Sequence, residues 1–133
     1  MPVGSLTRTP HGRYPQYHTS ADNLEFVRPE ALAGSLAAYL EVVRILENNA
    51  RYINLNPKCE PQLGRRGLYR AIGGRPDAGE VEMAILWVLN LSDGSHTLLD
   101  IAEHAGLPFE QVLQAARTLL EHGLLGEATG GQA

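Results

Sequence analysis

The chain has 133 residues, is 44% hydrophobic and carries a formal net charge of −4, enough apolar content to close a core in one domain or two small modules. The charge is uneven, with ten Arg/Lys against seven Asp/Glu in residues 1–79, and Arg117 against eight carboxylates in residues 80–133. The acidic half is excluded as a strong binder of polyanions, and the single cysteine, Cys59, excludes an internal disulfide or a multi-thiolate metal site.

Residues 1–28 are rich in Pro, Gly, His and Tyr and lack helical periodicity, which predicts an irregular loop segment. Pro29 suits a first helical position, where its missing N–H would have no partner. From there Leu32, Leu36, Tyr39, Leu40, Val43 and Leu46 recur at spacings of three and four, so a helix is predicted over residues 29–48. Its opposite face is small, with Ala33, Gly34, Ala37 and Ala38, and admits a closely packed neighbour. Residues 51–79 are dense in turn formers, with room for two short extended pieces, and 73–79 reads as a flexible linker.

Beyond the linker an apolar helix is predicted over 80–91, a turn over 92–95 and a short helix over 97–105. A tight connection at 106–108 leads to a helix over 108–122, stopped by Gly123, and then to a short strand over 124–127. This order is that of a winged helix-turn-helix. Trp87, with Leu86 and Leu89, reads as core, and residues 129–133 as a frayed tail. The longest apolar run, residues 83–89, is far below the roughly 20 residues of a membrane span. The chain opens Met1-Pro2-Val3-Gly4-Ser5 without a basic and then apolar segment, so a cytoplasmic protein with no membrane partner is expected.

Several side chains admit two readings. His11 either lines a pocket or belongs to an ordinary Pro-His-Gly turn. Arg65, Arg66 and Arg70, with Tyr52 and Tyr69 near in sequence, either grip a carboxylate or phosphate or form a solvated basic loop docked on an acidic surface. Cys59 has no adjacent base and reads as structural. The helix over 108–122 offers Glu110, Gln111, Gln114, Arg117, Thr118 and Glu121 to a partner. One arginine among carboxylates gives no phosphate footprint, so protein docking is expected in place of nucleic-acid binding.

Residues 10–27, with Arg13-Tyr14-Pro15-Gln16-Tyr17-His18-Thr19-Ser20-Ala21-Asp22-Asn23 at their centre, together with residues 54–69 and 87–94, resemble a bacterial family of aminopeptidase-like zinc peptidases. Members of that family carry a C-terminal winged-helix domain. The resemblance covers nearly all of this chain and the tail of the family's usual length. It implies a catalytic α/β domain with two zinc ions, whose last histidine ligand corresponds to His18 and whose final helix corresponds to residues 29–48. Tyr17, Asp22 and His11 then lie around the ligand or the pocket, with Asp22 either orienting the imidazole or serving as a turn residue. A catalytic zinc needs about three protein ligands and an open position, and no His-Glu-x-x-His motif is present to supply them.

The expected fold is mainly α: a truncated end of an α/β zinc-aminopeptidase domain over 1–50, a turn-rich connector over 51–79, a winged helix-turn-helix over 80–128 and a tail over 129–133. The expected function is a C-terminal fragment of a zinc-dependent aminopeptidase-like protein, inactive by itself, binding no zinc tightly, and engaged with a protein partner or with itself. The apolar stripe on the 29–48 helix, without the sheet it would normally cover, is expected either to turn inward onto the winged helix in a compact monomer or to drive association as a dimer. The alternatives are a stand-alone winged-helix adaptor and a DNA-binding regulator.

Overall fold

The computed structural model describes residues 4–68 and 78–128, so Tyr69, Arg70 and most of the expected 73–79 linker lie outside the described residues. Among these residues it has four helices and a three-stranded sheet in the order α1 (Pro29–Asn48), β1 (Arg51–Asn54), α2 (Ala78–Leu91), β2 (Asp93–Thr97), α3 (Leu98–Ala105), α4 (Phe109–Glu121) and β3 (Leu125–Glu127). Among the described residues no helix is long and apolar enough to cross a membrane. The chain divides into two units, Met1–Arg44 and Ile45–Ala133.

In the first unit, residues 10–27 form a chain of tight turns, and α1 follows. Residues 6–8 run along the side of α1 that carries Gly34, Ser35 and Tyr39: Tyr39 Oη donates to the Leu6 carbonyl at 2.8 Å, and Arg8 Nε donates to Ser35 Oγ at 3.1 Å. Arg8 Nη2 occupies the space that a Cβ at Gly34 would fill, so a larger residue there would displace the guanidinium. The apolar stripe faces solvent instead, with Leu32, Leu36 and Leu40 each about 60% exposed and Leu46 70% exposed.

The second unit is built around α2, α3 and α4. Ala84, Ile85 and Val88 of α2 meet Leu98 and Ile101 of α3 and Val112, Ala116 and Leu119 of α4, all essentially sealed from solvent. The spacing of three and four along α4 sends one stripe inward. Leu63 and Leu68 join this core, so the segment expected as a turn-rich connector supplies two of its plugs. That segment also opens with β1, which lies between β2 and β3 and pairs antiparallel with both.

Two boundaries differ from expectation in physically readable ways. The turn expected over 92–95 is taken up by β2: Gly94, at φ +86°, bends the strand where Ile53 crosses it, and the β1–β2 register slips there. A Gly-containing polar tetrapeptide reads as a turn until a partner strand offers its ladder. The short α3 starts one residue later than expected because Thr97 caps it. Thr97 Oγ1 accepts from the Asp100 amide at 3.2 Å, and Asp100 Oδ2 accepts from the Thr97 amide at 2.7 Å. Gly106, at φ +64°, ends it.

Leu119→Ala, at a position with no exposure, is expected to cost about 2–5 kcal/mol in urea denaturation. Thr97→Ala is expected to cost about 1 kcal/mol through the lost cap. Asp100 is held below the ordinary carboxylate range by the Thr97 amide and hydroxyl, and Asp93 by the Ser95 hydroxyl and amide and then by His96. In the folded state both bind a proton less readily than in the unfolded chain, so their contribution is complete above about pH 4 and is lost as pH falls below it. Acid titration of stability should flatten in an Asp93→Asn, Asp100→Asn double variant.

Candidate functional site

The histidine loop is organised by its own turn chemistry. Backbone bonds run from Arg13 N to Pro10 O, from Tyr17 N to Tyr14 O and from Thr19 N to Gln16 O, each at 3.1–3.2 Å. The Thr19 hydroxyl donates to Gln16 O at 2.9 Å and accepts from the Ala21 amide at 3.2 Å. Asn23 Oδ1 then accepts from the amides of Glu25 and Phe26, which turns the chain toward α1.

His18 sits at the apex of these turns with φ 56°, in the left-handed region that a side chain normally avoids. Its ring stacks on Tyr17 at 4.1 Å between centroids and 13° between planes. Tyr17 in turn meets His11 at 5.8 Å and Tyr14 edge-on at 5.6 Å, and Tyr14 stacks on Phe26 at 5.8 Å. The loop therefore gathers His11, Tyr17 and His18 into one aromatic cluster, with the two histidines exposed and Tyr17 half-buried. Asp22 is not brought to the imidazole: it forms no ion pair or side-chain hydrogen bond with His18, and its amide closes the turn to Thr19 O at 3.1 Å.

Among the described residues no three His, Cys, Asp or Glu side chains are grouped so as to hold a metal ion. His18 supplies one donor where a catalytic zinc takes about three, so these residues do not by themselves fit the ion.

The arginine loop has a different role. Arg66 Nε donates to Pro61 O at 3.0 Å and Nη1 to His122 O at 3.4 Å, at the C-terminal end of α4 where carbonyls lack intrahelical partners. Arg65 Nη1 donates to Gln62 Oε1 at 3.1 Å. Arg70 lies outside the described residues. Cys59 is exposed, at φ 67°.

On the outward side of α4, Arg117 Nη2 donates to Asn48 Oδ1 at 2.9 Å, and Gln111 Nε2 donates to Glu80 Oε2 at 2.9 Å. The helix is thus held by its polar side chains as well as by its core stripe. Residues 50–127 match the winged helix-turn-helix family, which agrees with the order α2, β2, α3, α4, β3. The chain belongs to that family. Within this winged helix the upstream strand β1 completes the sheet.

Residues 1–49 match a domain of unknown function (DUF4910). The chain is 53% identical, over 94% of its length, to a Clostridium acetobutylicum protein named for polysaccharide biosynthesis and an aminopeptidase-like domain. It is also similar to a crystal structure from Clostridium acetobutylicum named as a peptidase, with a TM-score of 0.71, 48% identity and 84% of this chain covered. It spans 29% of the first relative and 23% of the second, so less than a third of either.

Sequence reasoning passed over Arg8 and the carbonyl contact of Arg66. Neither carries a motif; each is defined by where the backbone places it. The strained φ of His18 was equally invisible. His18→Gly should relieve that strain, and is expected to leave the loop unchanged or more stable by up to about 1 kcal/mol, read from amide-exchange protection over residues 14–23.

Proposed function

We propose that this chain is the end of a zinc-dependent aminopeptidase-like hydrolase, and that His18 is a zinc ligand whose companion donors come from a peptidase body beyond these residues. The observation that carries the reading is the placement of His18. An exposed imidazole is presented at the apex of a loop closed by five consecutive turns and is stacked on the Tyr17 ring. The aminopeptidase-like naming of relatives at 53% and 48% identity supports the reading.

In this reading the chain's own residues orient and present, and do not hydrolyse. The stacked Tyr17 ring limits the rotation of the imidazole, and the neighbouring His11 and Tyr14 give the surroundings an aromatic wall. Zinc would supply a polarised water and a Lewis acid when bound in the complete centre. The exposed stripe Leu36, Leu40 and Leu46 is apolar surface suited to a protein partner, either the peptidase body or a second copy. The winged helix serves as a docking module, and Cys59, a free thiol, fits a reducing cytoplasmic setting.

The test mixes this chain with the aminopeptidase-like body of the Clostridium relative from which the matching region has been deleted. The mixture is expected to retain zinc through dialysis and to release nitroaniline from an aminoacyl nitroanilide, and His18→Ala is expected to lower the rate at least about 100-fold. Hydrolysis at full rate by the His18→Ala mixture, or by this chain without the body, would overturn the reading.

DNA binding is the second reading, favoured by the winged-helix family itself. Charge opposes it, because α4 carries one arginine and that arginine already donates to Asn48. No salt-dependent shift of duplex DNA is expected at physiological ionic strength, and a specific complex would restore the regulator reading.

A further inference from the structure

We infer that the cleft between residues 7–14 and the first turns of α1 binds a small amphipathic anion: a carboxylate or phosphate attached to an aromatic or branched apolar group. The inference does not depend on His18 acting as a metal ligand. The cleft has a volume of about 470 Å³, within the range of small-molecule sites. Arg8 and His11 give it a polar edge, and Tyr14, Phe26, Val27 and Leu32 give it an apolar wall.

The guanidinium is held in a defined pose. Its Nε–H donates to Ser35 Oγ at 3.1 Å, and the Ser35 hydroxyl donates its own proton to Ala31 O at 3.0 Å, so the oxygen lone pairs face Arg8. Nη2 rests over Gly34, where a Cβ would collide with it, and Tyr39 pins the backbone two residues upstream through Leu6 O. Among the described residues Arg8 has no carboxylate partner. The bond to Ser35 uses one edge of the fork and leaves the Nη1/Nη2 edge, whose two parallel N–H groups match the oxygens of a carboxylate or phosphate.

The apolar wall selects what accompanies the anion. Tyr14 and Phe26 stack at 5.8 Å and 21°, and Phe26 and Leu32 remain exposed, so a ring or branched chain laid against them removes apolar area from water. A bare inorganic anion would use the guanidinium and leave this surface wet.

The full chain is titrated with N-acetylphenylalanine, phenyl phosphate, N-acetylphenylalanine amide and acetate, following calorimetric heat and the amide NMR shifts of residues 31–35. Saturable binding of at least one aromatic anion is expected, and the tighter of the two identifies the anionic group. The amide and acetate should bind at least about tenfold more weakly. Arg8→Gln should weaken the aromatic anion at least about tenfold through the lost charge-assisted contacts. Gly34→Ala should do the same by displacing the guanidinium, and because alanine favours a helix over glycine it guards against misreading an unfolded variant. The inference is overturned if neither aromatic anion saturates at millimolar concentration, if the amide binds as tightly as the acid, or if Arg8→Gln binds unchanged.

Discussion

The winged module depends on six consecutive residues that precede its first helix by a long interval in sequence. Asn49 and Ala50 cap α3 from outside: the Ala50 carbonyl accepts from the Leu98 amide and Asn49 Oδ1 from the Leu99 amide, both at 3.0 Å. β1 then pairs with β2 on one side and β3 on the other. At its end Asn54 closes α2, donating from Nδ2 to Leu89 O at 2.8 Å and from its amide to Ser92 O at 2.7 Å. Without this segment β2 and β3 have no common partner, and orphan groups at two helix ends lose theirs. The helices supply the hydrophobic burial. The segment from Asn49 to Asn54 decides how they are arranged.

This dependence explains which parts of the fold the sequence made legible. Helices α1, α2, α3 and α4 announce themselves through local signals: Pro29 at a start, Gly106 and Gly123 at stops, and apolar positions at spacings of three and four. β1 has no such signal. Four residues, Arg51-Tyr52-Ile53-Asn54, flanked by turn formers, become a central strand only because two distant strands border them. Leu63 and Leu68 were hidden for the same reason, since isolated leucines among prolines, glycines and arginines show no periodicity, yet both are sealed in the core. In the first unit, His18 was legible as a residue type in a motif, while its positive φ was not. The clustering of His11 with Tyr17 is a property of the turns between them.

The two conspicuous cationic features of the second unit are tied to structure. Arg66 answers the exposed carbonyl of His122 at the end of α4, and Arg117 answers Asn48 just ahead of β1. A guanidinium engaged in this way helps to fix helix and strand ends and has less freedom to follow a phosphate backbone. The surrounding carboxylates, among them Glu110, Glu121 and Glu127, make the field around α4 negative. The family's architecture is therefore retained with a predominantly acidic surface around α4, in keeping with the general separation of fold from function.

The first unit shows the complementary situation, a helix whose two faces have unequal fates. The side of α1 that carries Gly34, Ser35 and Tyr39 is satisfied within the unit: it receives the backbone and side chains of residues 6–8 through two named hydrogen bonds. The large apolar face is not, and no residue of α1 is fully buried. In proteins most helical stability comes from packing an amphipathic face and little from propensity. The contacts made by residues 6–8 orient the helix, yet they involve its polar and small side chains and remove little apolar area. The stripe from Leu32 to Leu46 therefore represents the larger unrealised stabilisation in the molecule. A covering partner would gain burial along four turns of helix.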